Sequence, residues 1–153
     1  MARPTLQPTR PTLPTYALYG EPGRTQATDW LHCESIAERS RLHDWEIRPH
    51  RHAVLFQILY IAAGSAQAVV DARPQPLHGP CVLWVPPPVP HGFRFSPEVD
   101  GSVVTVHEAH LARLLAPLPT LARRLAQPGA LALPAAAPLG AAVARLVAEF
   151  GGH

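Results

Sequence analysis

Nineteen prolines and ten glycines are spread through 153 residues, and between residues 16 and 108 they cut the chain into short pieces. Helices of ordinary length do not survive such punctuation, whereas strands of four to eight residues do. The pieces "LHCESIA", "RLHDWEI", "AVLFQILYIA", "AQAVVDA", "CVLWVP", "GFRFS" and "SVVTVHE" are rich in β-branched and aromatic residues. Turns are expected at "GEPG", "AAGS", "ARPQPLHGP", "PPPVPHG" and "SPEVDG". Many short strands with such breaks predict a sandwich or small barrel.

The flanks differ. Residues 1–15 alternate proline with threonine, leucine and arginine, a density that excludes helix and inner strand and predicts a flexible extended arm, able to fold over a pocket. Beyond Glu108, "AHLARLLAPLPTLARRLAQ" and "PLGAAVARLVAEF" read as amphipathic helices, the first interrupted at Pro117 and Pro119. In the second, Leu139, Val143, Leu146, Val147 and Phe150 fall on one stripe, which needs either the β domain or another copy of the chain as its partner. "PGALALPAAAP" between the helices reads as a loop. The expected organisation is an arm (1–15), a barrel (16–108) and a helical dimerisation segment (109–153).

Charge and composition exclude several classes. A net charge of +2, carried by arginine with no lysine, is too weak for a nucleic-acid surface. No apolar run reaches the roughly 20 residues of a bilayer span, and the proline-broken N-terminus lacks the apolar centre of a secretory signal. A cytoplasmic protein without membrane contact is expected. Cys33 and Cys81 are too few for a disulfide framework and read as buried thiols. Trp30, Trp45 and Trp84 are expected to fill the core between the sheets.

Nine histidines are many for this length. His50 and His52, two apart on a strand, point to one face, where two imidazoles can chelate a divalent ion if a further ligand arrives. His91, after a proline-rich turn, is the third candidate. His32, His43, His78, His107, His110 and His153 read as surface or structural.

The spacing carries a resemblance. "HRHAVLFQILYIAAG" resembles the first cupin motif, with His50, His52 and Gly64 in place and Gln57 where that motif has glutamate. "GPCVLWVPPPVPHGF" resembles the second motif through Gly79, Pro86 and His91, with Pro88 replacing its glycine and Phe95 its asparagine. The resemblance implies a cupin-type jelly-roll barrel followed by helices. With "YALYGEP", residues 14–110 are more similar still to the N-terminal domain of AraC-type transcriptional regulators, nearest to those responding to 4-hydroxybenzoate and 4-hydroxyphenylacetate. This implies an effector-binding barrel, helices that make a homodimer, and DNA contact only through C-terminal helix-turn-helix units outside this sequence, so the chain is expected to be an excised or truncated part.

Strand parity then suggests the pocket. If His50 and His52 face inward, Arg48 follows them and offers a fork for a carboxylate. Gln57 shares its face with Leu59 and Ile61, and His91 shares its own with Phe93 and Phe95, rings suited to a flat aromatic body. Arg48, His50, His52, Gln57, His91, Phe93 and Phe95 together suit a small aromatic acid. Two alternatives remain for these residues: a sensor without turnover, its metal optional, or a small cupin dioxygenase or isomerase holding zinc, nickel or iron at His50, His52 and His91. Gln57 in the carboxylate position favours the sensor, because three neutral imidazoles leave a dication uncompensated. A structural, storage-type cupin finds no support in the amphipathic tail.

Overall fold

A computed structural model of the chain describes residues 12–16 and 30–151. Two five-stranded sheets face each other. With strands numbered in chain order, the first sheet runs β1 (Thr15–Tyr16), β3 (Glu46–His52), β8 (His91–Phe95), β5 (Ser65–Val70) and β6 (Arg73–His78). The second runs β10 (Gly129–Ala132), β7 (Cys81–Val85), β4 (Leu55–Ala63), β9 (Asp100–His107) and β2 (Leu31–Ser35). This is the anticipated cupin-type barrel, mainly β, with helices after it.

Alternation sorts the side chains. Leu59, Ile61, Leu83, Val85, Phe93 and Phe95 meet between the sheets. Phe56, Val82, Trp84, Val104 and Val106 project from the other side of the second sheet. That outer face is also apolar, so it needs a cover, and three helices supply one: α2 (Glu108–Leu115), α3 (Pro119–Leu125) and α4 (Pro138–Gly151). Leu111, Leu125, Leu146 and Phe150 pack onto it. Burial on both faces explains why all five residues of "CVLWV" are buried and why that strand reads as continuously apolar. Of the two partners open to the α4 stripe, the structure selects the chain's own barrel.

Gly64 sits at φ +80°, between β4 and β5, and a Cβ there would lie 2.7 Å from the Val99 Cα. Both the left-handed backbone and the lack of space require glycine.

Several expectations change. "ARPQPLHGP" contains β6 rather than only a turn. Its register sets Pro74 opposite Val69 and Pro76 opposite Gln67, at positions whose missing N–H would point away from β5, on the sheet's free side. Within "PGALALPAAAP", Gly129–Ala132 forms β10 against β7, so the segment from 109 onward is not purely helical. "RLHDWEI" is a strand only from Glu46. Before it lies a short helix, α1 (Ile36–Arg41), followed by a turn with Asp44 and Trp45 at positive φ.

The tryptophans also depart from expectation. Trp30 is 48% exposed, with its ring 5.3 Å from that of His110. Trp84 is buried beneath the helices rather than between the sheets, and its Nε1–H donates to the Gln127 carbonyl at 2.7 Å. Trp45 alone of the three packs against the inter-sheet core.

Cys33 and Cys81 are buried and free, and burial pushes both thiols up. The end of the arm is ordered as β1, parallel to β3. Residues 1–11 of the arm lie outside the described residues, as does His153. Among the described residues no helix is long and apolar enough to cross a membrane.

Candidate functional site

Strands β3 and β8 bring the three histidines together. His50 pairs directly with His91 across the ladder, and His52 follows two residues on. The ring centroids lie 4.5 Å (His50–His91), 4.9 Å (His50–His52) and 5.6 Å (His52–His91) apart. All three side chains are at most 2% exposed.

Each ring has one nitrogen fixed by a backbone carbonyl at 2.9 Å: Arg48 for His50, Tyr16 for His52 and Val89 for His91. A carbonyl can only accept, so each Nδ1–H donates and each neutral ring turns a bare Nε2 lone pair the other way. Nε2 of His50 and of His52 is buried with no hydrogen-bond partner. Nε2 of His91 lies 2.9 Å from Oε1 of Gln57, which in that orientation is a second acceptor facing the first.

Burial keeps the rings neutral. It is the main reason that His50 is pulled down to about 4 and His91 to about 3, with neighbouring positive groups adding to it and the carbonyl bonds opposing it. His52 is lowered for the same leading reason.

Four acceptors therefore converge with no donor among them, and two arrangements satisfy them. In one, the Gln57 amide is turned over, its NH2 donates to His91, and Thr105, now 3.4 Å from the Gln57 nitrogen, donates in return. The two remaining nitrogens then suit one water, which has two hydrogens to give. In the other, a cation takes all four lone pairs. The donor set fits a borderline divalent ion such as zinc, nickel or iron. One ring nitrogen from each histidine lies within 4.8 Å of the others. Two donors each about 2.1 Å from one ion are about 3.4 Å apart at the tetrahedral angle, so a pair as wide as 4.8 Å would have to draw in by about 1.4 Å.

Beside the histidines is a small cavity whose wall includes Arg39, His50, Gln57, Leu83, Phe93 and Phe95. The space open to water centres is about 20 Å³, enough for a water or two. The Phe93 and Phe95 rings stack on each other, 5.5 Å apart and inclined at 22°. A larger cleft of about 500 Å³ lies beyond, between the β5–β6 turn, residues 88–90 and residues 127–129, and Leu83 lines both spaces.

Gln57, Phe93 and Phe95 thus reach the cavity, but Arg48 does not. Between Ile47 and His50 the β3–β8 register shifts, three steps on β3 facing two on β8. This bulge, at Pro49 and Arg48, reverses the parity that would have carried Arg48 inward. Ile47 lines the cavity in its place, and Arg48 is exposed.

The arginine that lines the cavity is Arg39, on α1. It is ion-paired with Glu34, and its charge helps to depress all three histidines. The sequence did carry a sign of α1. "SIAE" is a capping-box pattern, and the Ser35 Oγ accepts from the Glu38 N–H at 3.4 Å. A helix starting there puts Ile36, Arg39 and Ser40 on one face.

The AraC-like ligand binding domain matches residues 32–151. The chain belongs to that family. Among curated proteins no sequence matches it. A domain of this family is the part of an AraC-type regulator that senses a small-molecule effector.

Proposed function

We propose that this domain senses a small aromatic carboxylic acid, such as 4-hydroxybenzoate, in an AraC-type regulator of aromatic catabolism. The observation that carries the reading is the cavity that joins a guanidinium, Arg39, to the Phe93–Phe95 stack inside the barrel. Arg39 supplies a charge-assisted pair for the carboxylate, and the phenylalanines supply faces for a ring.

The inner space alone does not take a benzene ring. Leu83 lines both spaces, and in this reading its side chain moves aside on binding, so that a ring held against Phe93 and Phe95 opens into the outer cleft, whose volume is that of an ordinary small-molecule site. That cleft is walled by Gln127, Pro128 and Gly129, the connection between α3 and β10. An acid that fills it bears on the helical part of the chain, and binding shifts the population of helix arrangements rather than turning over a substrate. A divalent cation at His50, His52 and His91 belongs to the same site in this reading.

The domain acts as a homodimer. With α4 spent on the barrel, the surface left for a second copy is Leu114, Leu118 and Leu121, which are 60%, 50% and 42% exposed along α2 and α3.

The test is calorimetry of the chain against 4-hydroxybenzoate and 4-hydroxyphenylacetate, with hydrogen exchange followed at residues 127–132. Binding, with altered protection of that segment, is expected. Absence of binding by both acids sinks the reading.

A further inference from the structure

A cation held by His50, His52, His91 and Oε1 of Gln57 would have four neutral ligands. Three rings and an amide bring no negative charge, and the cavity beside them is lined with leucine, valine and phenylalanine. A dication in apolar surroundings is costly unless an anion meets it. Among the described residues, the group of side chains able to hold a metal consists of these histidines without a carboxylate. Glu34 is already joined to Arg39. The Glu34–Arg39 pair is neutral as a unit, so it brings no net negative charge to the cation.

We infer that the missing negative charge is the effector's: Gln57, a neutral ligand, leaves the cation's charge uncancelled, and the effector's carboxylate joins the cation to cancel it, so that cation and acid bind as a mutually dependent pair. The inference rests on the sensing role proposed above and specifies how the acid is recognised. The carboxylate lies at the His50 and Gln57 end, with Arg39 on its other side, and the organic body points toward Leu83. A glutamate at position 57 would cancel the charge internally and leave the acid nothing to neutralise. Glutamine makes the site incomplete until the acid arrives. Binding of either partner then raises the affinity for the other by the same factor, as linkage requires.

The experiment is a zinc titration of untagged chain and of Gln57→Glu, each folded by circular dichroism, without added acid and with formate, oxalate or 4-hydroxybenzoate. The wild-type chain is expected to bind one zinc, and at least one carboxylate should tighten it by about tenfold or more, within the usual range of coupling between sites. Gln57→Glu is expected to bind zinc about tenfold more tightly without acid and to lose the acid dependence. Zinc binding that ignores all three acids overturns the inference, as does a Gln57→Glu variant with no gain. If 4-hydroxybenzoate binds equally with zinc present and after chelation, the pairing is wrong while the sensing role stands. If it binds in neither state and zinc is indifferent to it, the sensing of that acid fails separately.

Discussion

The backbone carbonyl of Tyr16 accepts a hydrogen bond from Nδ1 of His52 at 2.9 Å, while the Tyr16 ring lies 5.1 Å from that of His50. One residue of the N-terminal strand thus selects the tautomer of one histidine and covers another. Deleting residues 1–16 should remove that selection. Long-range nitrogen–proton correlation spectra of the full chain are expected to show a protonated Nδ1 and bare Nε2 at His52. The shortened chain should show both tautomers in exchange, and an unchanged His52 spectrum would mean that another acceptor fixes the ring.

Acid should destabilise the fold earlier than carboxylate titration does. In the unfolded chain the histidines protonate near 6.5, whereas burial holds His50 down to about 4 and His91 to about 3. Above pH 6.5 both states are neutral and these groups contribute no pH dependence. Between 6.5 and about 4 the unfolded chain binds protons that the folded chain refuses, so stability falls with pH. The slope is at most about 1.4 kcal/mol per pH unit for each group. Urea unfolding at pH 7.5, 6 and 5 measures it. Equal stability at all three would show that protons reach the rings without unfolding.

Arg39 and Arg48 should separate cleanly. Arg39→Ala is expected to weaken 4-hydroxybenzoate by about 1.5–3 kcal/mol, the worth of a charged hydrogen bond. Arg48→Ala, on the solvent side of the bulge, should leave affinity within about 0.5 kcal/mol, as surface substitutions usually do. Calorimetry on the two variants decides it, and the reverse order of effects would return the anchor to Arg48.

The exposed leucines of α2 and α3 offer a test of assembly. A Leu118→Glu, Leu121→Glu double variant places two charges on the surface proposed for the second copy. Sedimentation should show a dimer for the parent chain and a monomer for the variant, with the same thermal unfolding at low concentration. A parent chain that is monomeric at high concentration removes the dimer from this surface.

The barrel and its histidines were legible because alternation and motif spacing are local. His50 and His52 share a face whatever the rest of the fold does, and the second motif pointed to His91, which β8 carries beside them on β3. Arg48 was misplaced because a parity argument holds only while the ladder stays in register. Pro49 carries no N–H for that ladder, and the bulge there is a property of two strands rather than one. Arg39 was missed because "LHCESIA" was read through as a strand, although its serine and the glutamate three residues on already marked a helix start. Strand β6 was hidden by Pro74 and Pro76, which argue against an inner strand but are compatible with an outer one. The neutrality of the cluster depends on burial, a quantity that no single strand carries.

Those two prolines have a consequence for the molecule among its copies. The rim of the barrel at β6 lacks amide hydrogens where a newcomer's carbonyls would seek them. Nascent chains crowded together can press against that rim without zipping into a continuous ribbon. At that edge a second copy would have to meet side chains rather than main chain.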